Sequence, residues 1–332
     1  MSKLATLIGI SDYKANGKLQ SCAVDIKELG KALEQNEDGK TNFQVKYVPD
    51  VTKKESIREH LIDLFSRPLD VALFYFSGHG VQTSSGEYLV APDYTEYDPG
   101  ISLDEVMRIV NNSRAIHKIV ILDCCFGGAV NTLPITHATK QISILAEGVC
   151  VITSSTEYQT SIGYNSQRPS LFTNQLIQAI KGGAADISGK ITLSGIYAYI
   201  ERALQPDEPR PLFKSNIMQM ITISEAKERI NIKVLRELPN YFSSADAHRS
   251  LDKSYEWTEY EKYKHLKNPP ENPEEENIII FRHLQDMTKQ GLIKPSLEQT
   301  KDMYWVAINE ESCCLTELGK HYWYLAKNNN LR

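Results

Sequence analysis

The chain has 332 residues, 41% of them aliphatic, aromatic or cysteine, enough apolar material to fill the core of one large or two ordinary domains. A net charge of -5 excludes a global basic field of the kind that holds nucleic acid or an anionic membrane surface. No apolar run approaches the roughly 18 residues of a membrane span, and the N-terminal "MSKLATLIGI" is followed by "SDYKANGK" with no small-residue cleavage site, so a soluble, cytoplasmic protein without a membrane partner is expected.

In chain order, "LATLIGI" reads as a first strand, and Asp25 to Leu33 as a helix with Ile26, Leu29 and Leu33 on one face. "FQVKYV" is a second strand, and "KKESIREHLIDLF" a helix turning Ile57, Leu61 and Leu64 or Phe65 inward. "DVALFYFSG" is continuously apolar, the pattern of a central strand buried on both faces. "EYLVAPDYTEYDP" predicts a hairpin, and "SLDEVMRIVNN" a helix capped by Ser102. "KIVILDCC" and "GVCVITSS" are two more central strands. "SLFTNQLIQAIKGG" is a helix with a serine cap and a glycine stop, and "TLSGIYAYIERAL" another. "QPDEPRPLF" reads as a rigid proline-rich link, and "NIMQMITIS" as the last strand. This alternation predicts an α/β domain over residues 1 to 224, a mainly parallel sheet with helices on both faces.

Composition changes after Ser224. Residues 225 to 277 read as a polar helical connector ending in the linker "KNPPENPEEEN". Residues 278 to 332 predict a small α+β, winged-helix-like module: a helix in "IIIFRHLQDMTKQGLI", a strand in "DMYWVAINEES", and a helix with Leu315, Leu318, Tyr322 and Leu325 on one apolar face. Lys and Arg nearly balance Asp and Glu there, so protein recognition is favoured over nucleic acid for this module. The adjacent pair Cys313-Cys314 lacks the spacing of a metal site. The six cysteines contain no Cys-x-x-Cys and fit neither a disulfide framework nor zinc, which suits a reducing compartment.

Two apolar runs break into small residues where a reactive side chain stands: "FYFSGHG", with His79, and "ILDCCFGG", with Cys124 and Cys125. In an open parallel sheet, ligands sit beyond the carboxyl ends of the strands. Consecutive strands usually neighbour each other, and about 4.8 Å of lateral spacing brings thiol and imidazole within reach. The flanking glycines let a substrate backbone approach. The amides of Gly80 and Cys125 are candidates for the oxyanion of acyl transfer, where one fixed donor lowers the barrier by roughly 3 kcal/mol.

The segments "LATLIGISDY", "LQSCAVDIKEL", "VALFYFSGHG", "KIVILDCCFGG", "GVCVITSSTEYQTS" and "SLFTNQLIQAI" resemble, in order over residues 1 to 223, the caspase, metacaspase and paracaspase superfamily of cysteine proteases in its bacterial form. The resemblance implies a caspase-like three-layer α/β/α sandwich, with His79 and Cys125 as the catalytic dyad. The family strand reads Asp-x-Cys-x-x-Gly, which selects Cys125 over Cys124; Cys124 is then expected to point the other way. His79 precedes Cys125 by 46 positions, close to the roughly 50 of caspases. By the same resemblance Cys22, Asp25, Ser77 and Asp123 line the first specificity pocket, whose two carboxylates favour a protein substrate cleaved after Arg or Lys, Arg above all for its bidentate fork. The aspartate cluster of calcium-dependent metacaspases is only partly kept in "SLDEV" and missing from "GGAVNTLPITH", so no cofactor is expected, calcium included. Such architectures imply a triggered effector, often in antiviral defence. The C-terminal module would then meet an activating or regulatory protein, and the loop from Val130 to Glu147, with Lys140, would be cut or moved on activation. The rival expectation is a catalytically inactive scaffold or a winged-helix nucleic-acid regulator.

Overall fold

A computed structural model describes residues 1–13, 17–49, 51–95, 97–124, 145–154, 168–205, 210–265 and 275–331. The chain divides into two compact units, Met1–Lys227 and Glu228–Arg332.

The first unit is built on a six-stranded sheet. Its strands are β1 (Lys3–Gly9), β2 (Gln44–Pro49) and β3 (Val71–Ser77), followed in the chain by an antiparallel three-stranded sheet of β4 (Gly80–Thr83), β5 (Gly86–Thr95) and β6 (Asp98–Ser102). The main sheet continues with β7 (His117–Asp123) and β8 (Val149–Thr153). A two-stranded ribbon of β9 (Lys190–Thr192) and β11 (Thr222–Glu225) flanks the last main strand, β10 (Leu212–Asn216). The order in the main sheet is β10-β8-β7-β3-β1-β2. All pairings in it are parallel except β8 with β10. Helices α1 (Cys22–Glu34), α4 (Leu171–Gln178) and α5 (Leu193–Ala203) cover one face, and α2 (Lys54–Ser66) and α3 (Leu103–Asn111) cover the other.

Period-two alternation explains the three layers. On β3, Phe74 and Phe76 pack with Ile57 and Leu61 of α2, while Leu73 and Tyr75 pack with Leu29 of α1 and Leu176 of α4. Every residue of β3 is buried, as its unbroken apolar run predicts. Each large side chain so buried contributes about 1.5–3 kcal/mol. Ser102 caps α3 by accepting from the Glu105 N–H at 3.2 Å. Ser170 caps α4 from Thr173 N–H at 3.1 Å, and the predicted glycine stop is Gly182, at φ 116°.

The end of this unit differs from the sequence expectation. The last main strand begins at Leu212, directly after Pro211, which has no N–H to offer a ladder. Ile217 to Ile221 lie outside any strand, and Thr222–Glu225 pairs with β9 instead.

The second unit has an antiparallel sheet in the order β12 (His248–Ser250), β14 (Ser312–Leu315), β13 (Ile293–Pro295). Its helices are α6 (Ile232–Arg236), α7 (Leu238–Tyr241), α8 (Thr258–Tyr263), α9 (Glu275–Lys289), α10 (Met303–Ile308) and α11 (Glu317–Lys327). Three expectations are corrected here. The polar stretch of residues 228–265 is not a separate connector, because it supplies α6, α7 and β12 to this unit, and residues 266–274 of the expected Pro/Glu-rich linker lie outside the described residues. The aromatic "DMYWVAI" is a helix, since Asp302 accepts the Trp305 N–H at 3.2 Å and the buried positions Met303, Val306 and Ala307 follow helical spacing. The buried face of α11 is Gly319, Trp323 and Ala326, and Leu318 is 44% exposed. Gly319 turns the helix: a Cβ there would lie 1.9 Å from the Leu292 carbonyl oxygen, so this contact admits only glycine. Trp323 then donates its indole N–H to the Phe242 carbonyl at 2.8 Å. Among the described residues no helix is long and apolar enough to cross a membrane.

Candidate active site

Strands β3 and β7 are parallel neighbours, in register from Val71–His117 to Ser77–Asp123. His79 stands two residues beyond the end of β3. Cys125 stands two residues beyond Asp123 in sequence and lies outside the described residues, as do residues 130–144 of the expected activation loop, Lys140 included. The partner strand ends are therefore brought side by side, as consecutive central strands predict.

His79 is half-buried. Its main-chain N–H donates to Tyr13 Oη at 2.9 Å, and its ring lies against the Tyr13 ring at 4.6 Å between centroids. Burial pushes the Tyr13 phenol well above its usual range, so it acts here as a neutral acceptor and packing wall. Gly78 is required by this contact: a Cβ would sit 2.5 Å from Tyr13 Oη. On its other side the His79 carbonyl accepts from the Val90 N–H at 2.9 Å. That bond makes His79–Val90 a hydrogen-bonded position of the ladder, so the next pair, Gly80–Leu89, is a non-hydrogen-bonded one. The Gly80 N–H consequently faces away from β5, on the outer side of β4, which is the edge of its sheet. An oxyanion donor needs that freedom. Tyr13 was not legible as a site residue, because nothing local in "ISDYK" signals a contact with residue 79.

The four residues expected to line the specificity pocket come together. Cys22 and Asp25 sit in the first turn of α1, which approaches β1 so closely that a Cβ on Gly9 would lie 2.5 Å from the Cys22 carbonyl oxygen. Ser77 and Asp123 end their strands. All four are buried, Asp25 completely and the other three to 2% exposure. Ser77 Oγ donates to Asp25 Oδ2 at 2.8 Å. Burial, and after it the charge of Asp123, pushes the Asp25 carboxyl up to about 7. Burial also pushes the Cys22 thiol up to about 12 and the Cys150 thiol up to about 11, which leaves both as inert neutral thiols. Cys124 packs with Phe76, Leu89 and Leu122 on the α2–α3 face, opposite the face that Asp123 shares with α1 and α4, as the strand alternation requires.

Three more residues complete this buried cluster, each missed in the sequence. The Ser170 N–H donates to Asp25 Oδ1 at 2.7 Å, and Ser170 Oγ hydrogen-bonds Asp123 Oδ2. Thr173 Oγ1 donates to the same Asp123 oxygen at 2.7 Å. Tyr75 Oη lies 2.5 Å from Thr173 Oγ1 and 3.5 Å from Asp123 Oδ2. Ser170 was legible as a helix cap, but its reach to two carboxylates was not. A cavity of about 370 Å³ lined by Arg168, Pro169, Leu171 and Asn174 flanks Ser170 at the start of α4. The arrangement presents two carboxylates, solvated by neutral donors, beside the strand ends that carry His79 and precede Cys125.

The sequence profile of the caspase domain matches residues 2–228. Metacaspase-1 of Botryotinia fuckeliana is 27% identical over 158 residues, 42% of this chain and 37% of that protein. The human mucosa-associated lymphoid tissue lymphoma translocation protein 1 is 27% identical over 146 residues, 42% of this chain and 17% of that protein. The chain thus spans less than half the length of these curated relatives. Among solved structures, caspase-1 from Spodoptera frugiperda aligns with a TM-score of 0.48 at 13% identity, covering 68% of this chain and 90% of that one.

Proposed function

Given that the chain belongs to the caspase-domain family, whose members are cysteine-type peptidases, we propose that it is an endopeptidase that cleaves proteins after Arg or Lys through a His79–Cys125 dyad. The single observation that carries this reading is the parallel pairing of β3 with β7 up to Ser77–Asp123. It sets the histidine-bearing strand end beside the one that leads to Cys125.

In the proposed reaction His79 takes the Cys125 thiol proton, and the thiolate attacks the scissile carbonyl carbon. The resulting oxyanion rests on the N–H groups of Gly80 and Cys125. Collapse breaks the C–N bond, His79 protonates the leaving amine, and a thioester remains. Water, deprotonated by His79, then hydrolyses the thioester and frees the thiol. The chemistry as written uses no metal or organic cofactor. A substrate guanidinium or ammonium would be held by Asp25 and Asp123, since paired carboxylates in a desolvated recess favour a cation. The second unit would serve as an interaction module for an activating protein, in keeping with a triggered effector.

An arginyl chloromethyl ketone tests the reading. It should alkylate the wild-type protein at residue 125 and leave Cys125→Ala unlabelled, and a peptide-library profile should show Arg, then Lys, at the cleaved position. Labelling elsewhere, or a profile indifferent to Asp25→Ala, would overturn it.

A further inference from the structure

The hydroxyls of Ser170 and Thr173 hydrogen-bond a single oxygen of Asp123, and the Tyr75 hydroxyl lies 3.5 Å from the same oxygen. They are not equivalent. Ser170 belongs to the recess wall, because its backbone N–H also holds Asp25. Thr173 and Tyr75 are completely buried, and of the two carboxylates they contact Asp123. Buried behind it, they can act on a ligand only through that residue.

The proton count orders the chain of bonds. A threonine hydroxyl has one hydrogen, and that of Thr173 goes to Asp123 Oδ2 at 2.7 Å. The 2.5 Å contact with Tyr75 therefore has the phenol as donor and Thr173 Oγ1 as acceptor. Tyr75 to Thr173 to Asp123 is thus a directional relay in which each bond polarises the next. Its three members come from the middle of β3, the end of β7 and the first turn of α4, so Asp123 is braced from a strand and a helix at once.

A carboxylate at a strand end rotates readily about its terminal torsion, and a fixed plane matters to one kind of cation more than another. Arginine offers two parallel N–H bonds from a planar fork, which need a carboxylate held in matching orientation. The lysine ammonium is a compact charge with rotatable donors and follows the carboxylate wherever it turns. We infer that Thr173, backed by Tyr75, is a positioning residue that fixes the Asp123 carboxylate and thereby sets the preference for arginine over lysine. This inference rests on the acidic-recess reading given above.

The test uses the full chain and two capped peptides identical except for Arg or Lys at the cleaved position. Binding to Cys125→Ala is measured by calorimetry, and KM and kcat are measured on proteins that retain Cys125. Thr173→Val should weaken the arginine peptide about tenfold and the lysine peptide by no more than about twofold, the change falling in KM. Thr173→Ser should restore the arginine preference, and Tyr75→Phe should erode it in the same direction by less. Equal losses for both peptides, no loss, or failure of the serine variant to rescue would overturn the inference while leaving the recess intact. A Cys125→Ala protein with no other change that binds neither peptide would instead remove the recess reading, and this one with it.

Discussion

The two units hold a charge in contrasting ways, fully buried in the first and half-buried in the second. In the first, Asp25 and Asp123 lie at helix and strand ends and are solvated by neutral donors, an amide N–H and several hydroxyls. In the second, Arg249 lies within β12 opposite Cys313. Its guanidinium stands 5.6 and 5.8 Å from the centroids of Tyr241 and Tyr255, and it donates to the Tyr241 carbonyl and Tyr255 Oη, each at 3.1 Å. Neutral partners leave a charge's field in place, and position decides what that field can do. Beyond the carboxyl ends of parallel strands it meets ligands. Between two aromatic rings in a small antiparallel sheet it cements packing.

The largest effect expected on this contrast is at the dyad. His79→Ala or Cys125→Ala should lower peptidase turnover by at least about a thousandfold, measured with an arginyl fluorogenic peptide. At the recess, Asp25→Asn and Asp123→Asn should each lower kcat/KM for that peptide by about ten to a hundredfold, through loss of a charge-assisted bond. In the other unit, Arg249→Ala should cost about 2–4 kcal/mol of stability in chemical denaturation, from two ring contacts and two hydrogen bonds together. Arg249→Lys should recover only part of it, because an ammonium lacks the planar fork. A stability change at Arg249 that leaves peptide cleavage unchanged would sharpen the division between a structural charge and one proposed to face the substrate.

The pH dependence separates stability from binding. Asp25 ordinarily titrates near 3.8 and is pushed up to about 7 in the folded protein. The folded chain therefore keeps a proton that the unfolded chain releases. Its contribution is full below 3.8 and is lost as pH rises through about 7. Arginine binding should move the opposite way, strengthening as the recess gains charge across that same range. Burial also pushes Glu87 up to about 7, so the measurement is the difference between wild type and Asp25→Asn. The smallest effect expected is Ser102→Ala, about 1 kcal/mol for the lost α3 cap, read from the denaturation midpoint.

Most of the first unit was legible because its signals are local. The unbroken apolar run of β3 and the caps at Ser102 and Ser170 are set by neighbouring residues and backbone geometry. So were the two strand ends and the meeting of Cys22, Asp25, Ser77 and Asp123, once a family resemblance aligned them. The misreadings fell where local signals conflict. The aromatic segment after Asp302 has strand-like composition and a helical burial pattern, and short β12 carries too few residues to show a period.

Local torsions and alternating faces were thus determined by the amino-acid sequence alone. Only the tertiary structure decided which distant groups meet: Tyr13 with His79, Ser170 with both carboxylates, and Tyr75 with Thr173 across 98 positions. It also decided that the apolar leucines of α11 would yield its buried face to Gly319, which alone fits against the Leu292 carbonyl. The physical reason is that a chain's own spacing sets the direction of each side chain, whereas the partner it reaches depends on how whole elements pack.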